Sequence, residues 1–163
     1  MRVTKRFLLN LIIICAVSFT SFAQQIKTEL KDLSKGADVI LTGKVTQQTS
    51  SWNENKTRIY TQATIQVEEY LKGNNTGNSI TVIYPGGEVG DVGELYSHMP
   101  KFQDKEEVLV FLKKDKKSSD YRVFNGEEGK LSVINDPKTG ERVTASNVQI
   151  NSLKAQIKNF VNE

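Results

Sequence analysis

Between Arg58 and Leu71 polar and apolar residues alternate. Ile59, Ala63, Ile65, Val67 and Leu71 take odd positions, and Arg58, Gln62, Thr64, Gln66 and Glu68 take even ones. Successive side chains of a strand point to opposite faces, so this stretch reads as one long strand with a single buried face. A strand of this length calls for a bend or a bulge, as barrels require. No other segment constrains the chain as strongly.

The flanking segments fit the same architecture. Ile26, Leu30 and Leu33 carry helical spacing, and Gly36 is a stop signal. Val39, Leu41, Gly43 and Val45 alternate with polar residues as a first strand, followed by a polar loop over Ser50–Lys56 that holds Trp52. Gly73 to Asn78 is an open turn, and Ile80, Val82 and Tyr84 form a strand stopped by Pro85-Gly86-Gly87. Residues 86–105 lack a period and predict a long loop, with a short strand near Glu94–Ser97. Val108–Leu112 is apolar on both faces, hence central. Short strands at Tyr121–Phe124 and Lys130–Ile134 follow. Asn135 to Gly140 is a turn in a hairpin with Glu141–Thr144. Ser146 is positioned to cap a last helix with an apolar stripe of Ile150, Leu153, Ile157 and Phe160 or Val161. The expected core includes Val39, Leu41, Ile59, Ile65, Val67, Ile80, Val82, Val108, Val110, Leu112 and Val133.

The chain has 163 residues, a formal net charge of +3 and one cysteine. Arg2, Lys5 and Arg6 precede an apolar run from Phe7 to Val17, and Ser21-Phe22-Ala23 puts small residues before Gln24. This is the pattern of a secretory signal peptide over residues 1–23. The apolar run is shorter than the ~20 residues that span a bilayer, and Ile13-Ile14 before Cys15 does not suit lipidation. The expected mature domain, residues 24–163, has no cysteine, hence no disulfide, thiol nucleophile or thiolate ligand. The three basic residues of the leader account for the whole charge excess, so the mature chain is formally neutral. Neutrality and export together argue against nucleic acid.

Several strings, in this order, resemble a set of small exported bacterial proteins. They are Ala37-Asp38-Val39-Ile40-Leu41-Thr42-Gly43-Lys44-Val45, Trp52 with Arg58-Ile59-Tyr60-Thr61, and Val67-Glu68-Glu69-Tyr70-Leu71-Lys72-Gly73. Pro85-Gly86-Gly87-Glu88-Val89-Gly90, Pro100-Lys101-Phe102, Glu106-Glu107-Val108-Leu109-Val110-Phe111-Leu112 and Gly129-Lys130-Leu131-Ser132-Val133 complete them. Such domains are similar to OB-type barrels of the netrin and tissue-inhibitor-of-metalloprotease kind. The resemblance implies a five-stranded barrel with a packed helix, and it carries no function by itself. The tissue inhibitors present an N-terminal cysteine to the protease metal, and the mature chain lacks one. The expected fold is therefore mainly β with flanking helices: a small OB-like β-barrel of five to seven strands, a short N-terminal helix and a C-terminal helix.

The residues offer no catalytic motif. His98 is the single histidine, and Ser97 beside it is adjacency without triad geometry. Glu88, Asp91, Glu94 and His98 share a loop but match no metal-binding spacing. Gly86-Gly87 and Gly126–Lys130 lack the ending of a phosphate loop. No cofactor and no metal is expected. Trp52 stands in a loop that borders the ligand groove in OB barrels, and Tyr60 and Tyr70 fall on the polar phase of the long strand. Such aromatics could stack on a sugar or a protein surface. The expected ligand surface is Trp52, Tyr60, Glu88 and His98. The expected function is a non-enzymatic binding module, periplasmic or extracellular, with a protein or glycan partner and no membrane anchor after cleavage. An inhibitor-like module, or a hydrolase using loop carboxylates near His98, are the alternatives.

Overall fold

A computed structural model describes residues 29–73, 77–115 and 118–163. The signal segment and Ile26 lie outside these residues. The chain divides into two compact units, Met1–Asp32 and Leu33–Glu163. The described part of the first is the opening turn of a helix, α1, over residues 29–36. Among the described residues no helix is long and apolar enough to cross a membrane.

The second unit is mainly β. Its strands are β1 (Val39–Trp52), β2 (Ile59–Lys72), β3 (Ser79–Pro85), β4 (Gly87–Val89), β5 (Val92–Glu94), β6 (Glu107–Lys114), β7 (Tyr121–Val123), β8 (Lys130–Asn135) and β9 (Arg142–Thr144). A 3₁₀ turn spans Gly126–Gly129, and α2 spans Ile150–Asn162. Seven strands form one sheet in the order β1-β2-β3-β7-β6-β8-β9, and β1 also pairs with β6. That extra pairing closes β1, β2, β3, β7 and β6 into an OB-like barrel, in which β3 and β7 meet in parallel.

The barrel interior holds Val39, Leu41, Val45, Ala63, Ile65, Ile80, Val82, Val108, Val110 and Leu112, all buried. Ile59 and Val133 are buried as well, whereas Val67 is half-buried opposite Gly43, which has no side chain to cover it. A Cβ on Gly43 would stand 2.4 Å from the Gln66 carbonyl oxygen, so the two strands cross too closely for any larger residue. The even residues of β6 face the interior, while Leu109 and Phe111 face outward and are equally buried. They share that outer face with Ile40 and Thr42, which pair with Phe111 and Leu109. Glu69 pairs with Thr42, and Lys154 and Lys158 of α2 hold its carboxylate at 2.9 and 2.7 Å. Ile150, Leu153, Ile157 and Phe160 supply the buried stripe of α2. A strand apolar on both faces is thus covered by the barrel interior on one side and by buried apolar residues on the other.

Four sequence-based expectations change. β1 runs on to Trp52, so this tryptophan ends a strand instead of sitting in a loop. The polar residues Gln47–Ser51 pair with β2 without an apolar alternation, because neither face of the ribbon is fully buried there. The turn shrinks to residues 53–58, held by the Asn53 carboxamide oxygen, which accepts from the Thr57 and Arg58 amides. The short strands of the 86–105 region are β4 and β5, a hairpin earlier than Glu94–Ser97. Ser146 does not cap α2, which begins at Ile150 after a tight turn where the Val148 amide donates to Thr144 Oγ1. Tyr60 and Tyr70 do not share a face, because the register of β1 on β2 shifts between them. Glu68 and Leu71 have no partner across the ladder, and each extra residue reverses the alternation. Tyr70 therefore lies opposite Leu41 and packs against the core, while Tyr60 stays outside.

Glu69 is paired with two lysines of α2. Hydrogen bonds from Lys158 and Lys154 hold its carboxyl below the usual glutamate range. A carboxyl whose pKa falls on folding adds stability above its unfolded pKa, and that stability is lost as the pH falls through the folded value. Thermal unfolding of the wild type and of Glu69→Gln should therefore differ at neutral pH and converge as the pH falls below the usual glutamate range. A gap that stays constant over that range would show that the pair contributes nothing through ionisation.

Candidate functional site

Beyond Lys44, β1 leaves β6 and continues with β2 alone, while β2 keeps β3 on its other edge. The sheet opens at this end of the barrel. A cleft of about 630 Å³ forms between the open end and the segment from Glu94 to Asp104. Its floor is a pair of hydroxyls. Ser50 and Thr61 stand 2.9 Å apart, and Thr61 Oγ1 donates to the Gly86 carbonyl oxygen at 2.6 Å. Thr61 is 4% exposed, a polar residue on the buried phase of β2, and these bonds satisfy it. Gly87, at φ 128°, presses its backbone onto the same pair: a Cβ there would sit 2.3 Å from Thr61 Oγ1 and 2.4 Å from Ser50 Oγ.

One wall is aromatic. The rings of Tyr84 and Phe102 lie 5.5 Å apart, tilted by 40°. The Tyr84 hydroxyl donates to Gln48 Oε1, and Gln48 Nε2 donates to Asp104. Burial pushes the Tyr84 hydroxyl up from its ordinary pKa. The other wall begins at Glu94, whose Oε2 accepts from the Ile59 amide at 3.0 Å and from the Tyr96 hydroxyl at 2.9 Å. That carboxylate raises the Tyr96 pKa. Leu95 and Met99 form an apolar rim and are 76% and 36% exposed.

The segment bearing this rim is anchored from behind. Lys130 donates to the Lys101 carbonyl oxygen and to Glu106 Oε1, each at 2.6 Å, and to Ser132 Oγ at 3.2 Å. Ser132 in turn donates to Glu106 Oε1 at 2.5 Å, and Glu106 Oε2 accepts from the Gln103 amide. Lys130 also lies 5.4 Å from the centre of the Phe102 ring. Ser132 and Lys130 have the composition of a serine–lysine dyad. The Ser132 hydroxyl, however, points its proton at Glu106 and accepts from Lys130, the reverse of what a lysine base requires. The cluster ties the loop to β8.

The expected ligand residues fall in three places. Glu88 lines the cleft. His98 lines a neighbouring cavity of about 670 Å³ with Glu127 and Lys130, across the shared wall from Leu95 to Lys101. Its ring nitrogen is 3.4 Å from Glu127 Oε1, on a side chain 85% exposed, and it forms no metal-ligand group with the carboxylates at 88, 91 and 94. Trp52 pairs with Ile59, and Tyr60 with Ser51 and Pro85. Cross-strand partners share a face, so Trp52 and Tyr60 lie on opposite faces of the ribbon. Among the described residues no three His, Cys, Asp or Glu side chains gather as metal ligands.

Compared with known proteins, the chain matches no family model and no curated protein. The geometry of the open end carries the functional argument.

Sequence reasoning missed Thr61, Tyr84, Tyr96, Phe102 and Lys130. One signal was present: Thr61 interrupts the apolar phase of β2, and two glycines follow β3 where its backbone must close on that hydroxyl. Gly87→Ala should destabilise the protein by about 1–3 kcal/mol. Gly90→Ala should cost less, since nothing lies within 4 Å of a Cβ there. Equal losses in urea denaturation would remove the close approach from this account. Lys130→Met leaves Glu106, 12% exposed, without its cation, and should cost about 3 kcal/mol by the same measurement. A neutral result would mean that the pair does not hold the loop.

Proposed function

We propose that the chain is an exported binding module, with no chemistry of its own, that takes a segment of a partner protein in the cleft beside Leu95 and Met99. The observation that carries this reading is the apolar rim: Leu95 is 76% exposed on a wall shared by two adjoining cavities. Exposed apolar side chains ringed by polar groups mark interaction surfaces. Tyr84, Tyr96 and Phe102 give the cleft the aromatic lining that interfaces favour. A loop tied down by Lys130 presents that wall already ordered, which lowers the entropy lost on binding.

The polar groups of the cleft support binding over catalysis. Glu94 is committed to the Ile59 amide and to Tyr96, and His98 reaches Glu127 in the neighbouring cavity. Export rests on the charged and apolar pattern of residues 1–23, and the bacterial setting rests on the resemblance of residues 37–134 to small exported proteins. A protease partner would be met through the apolar wall, since the mature chain has no cysteine to offer a metal.

Tagged protein from Gln24 onward, exposed to the envelope and medium fractions of its source, should retain a specific protein. The double substitution Leu95→Asp and Met99→Asp should reduce retention by more than about tenfold with an unchanged melting temperature. Retention that survives both substitutions would move the surface elsewhere. Retention of nothing would count against the reading.

A further inference from the structure

We infer that the outer face of β1, β2 and β3 at the open end is a second binding surface, one that takes a neutral polysaccharide chain. This goes beyond the protein-binding cleft and does not rest on it. The register makes the face a regular grid. Ser51, Tyr60 and Pro85 form its first row, Thr49, Gln62 and Ile83 its second, and Gln47, Thr64 and Thr81 its third. With strands ~4.8 Å apart and a rise of ~3.4 Å per residue, the grid measures roughly 10 by 14 Å. Four of these positions are exposed and five are half-buried.

None of the nine carries a charge, in a chain where Asp, Glu, Lys and Arg make up 25% of residues. Charge returns at the borders: in the next row at Lys44 opposite Gln66, in sequence before Tyr60 at Arg58, and on β7, where Arg122 follows Tyr121, the partner of Val82, and is paired with Asp115. Charged side chains are ordinarily found on exposed surface. A surface that forgoes them and offers amides and hydroxyls instead suits a partner that is itself uncharged and rich in hydroxyls. A carboxamide both donates and accepts, as a sugar hydroxyl does. The Tyr60 ring beside Pro85 adds an apolar step on which the C–H face of a sugar ring can lie.

Other occupants fit less well. A nucleic acid needs cations for its phosphates, and the grid has none. A stable interface with a second copy needs an apolar centre, and here Tyr60, Ile83 and Pro85 are each half-buried already. The parity that sets Tyr60 outside sets Thr61 inside, under the cleft, so the two surfaces lie on opposite sides of one ribbon and meet at its end, where Pro85 borders both.

Native gel electrophoresis of the mature protein, in gels cast with laminarin, xyloglucan, galactomannan or dextran, tests the inference. At least one of these neutral polymers should retard the protein, and alginate, which is anionic, should not. Tyr60→Ala and Gln62→Lys should each weaken retardation by at least about tenfold, whereas Trp52→Ala, on the opposite face, should leave it unchanged. Gln62 is exposed, so Gln62→Lys reads the face even if Tyr60→Ala unfolds the protein. Failure of all four neutral polymers, equal retardation by alginate, or retardation that survives Gln62→Lys would overturn the inference. So would a dimer, seen by sedimentation, that Gln62→Lys dissociates, since that would give the face to a second copy.

Discussion

One strand has to serve two partners. From Val39 to Lys44, β1 pairs with β2 on one edge and β6 on the other, and this double pairing is what closes the barrel. A closed barrel leaves no free edge, but it forces its strands to coil. The coil is taken up where the register breaks: at Thr46 in β1, and at Glu68 and Leu71 in β2. Each extra residue reverses the alternation, so the interior phase of β1 is odd up to Val45 and even from Gln48 onward. The rest of the structure follows from that reversal. Ser50 meets Thr61 inside the ribbon, while Thr49 and Ser51 line its outside.

The open end is then stabilised by polar rather than apolar contacts. Thr61, Ser50 and Gly86 close the floor, Glu94 holds the first amide of β2, and Lys130 with Glu106 fixes the loop behind Phe102. Burying an ion pair carries a desolvation cost, offset only when the remaining donors and acceptors are also satisfied. Here Ser132, the Lys101 carbonyl and the Gln103 amide satisfy them. Such a cluster gives a loop a single geometry, which a preformed binding wall requires.

The two proposed surfaces use the two sides of the same three-stranded ribbon. Its inner side is roofed by a loop with an exposed apolar rim, and its outer side is a flat, uncharged grid. An exported module that holds a glycan on one side and a protein on the other would tether the second to the first. That arrangement asks for rigidity and surface chemistry, and neither surface depends on a titrating group.

Much of the fold was legible in the residues. The period of two in β2 and the doubly apolar Val108–Leu112 require a long half-buried strand and a central one, because burial acts on every second side chain of a strand. The apolar stripe of α2 and the turn at Asn135 to Gly140 are equally local signals, and both elements form where they were expected. The site was less legible. Trp52 and Tyr60 look like neighbours in sequence, yet a bulge that no residue type announces decides which side of the ribbon Trp52 takes. Lys130, Glu106 and Ser132 come from separate segments, and only the barrel brings them within hydrogen-bonding distance. Sequence by itself determined most of the buried apolar positions, since hydrophobic burial follows local period, whereas the burial of Thr61 and Phe102 and the half-exposure of Val67 came from the tertiary structure. Tertiary structure alone decided which polar residues meet, since that depends on register, and one unpaired residue is enough to reverse it.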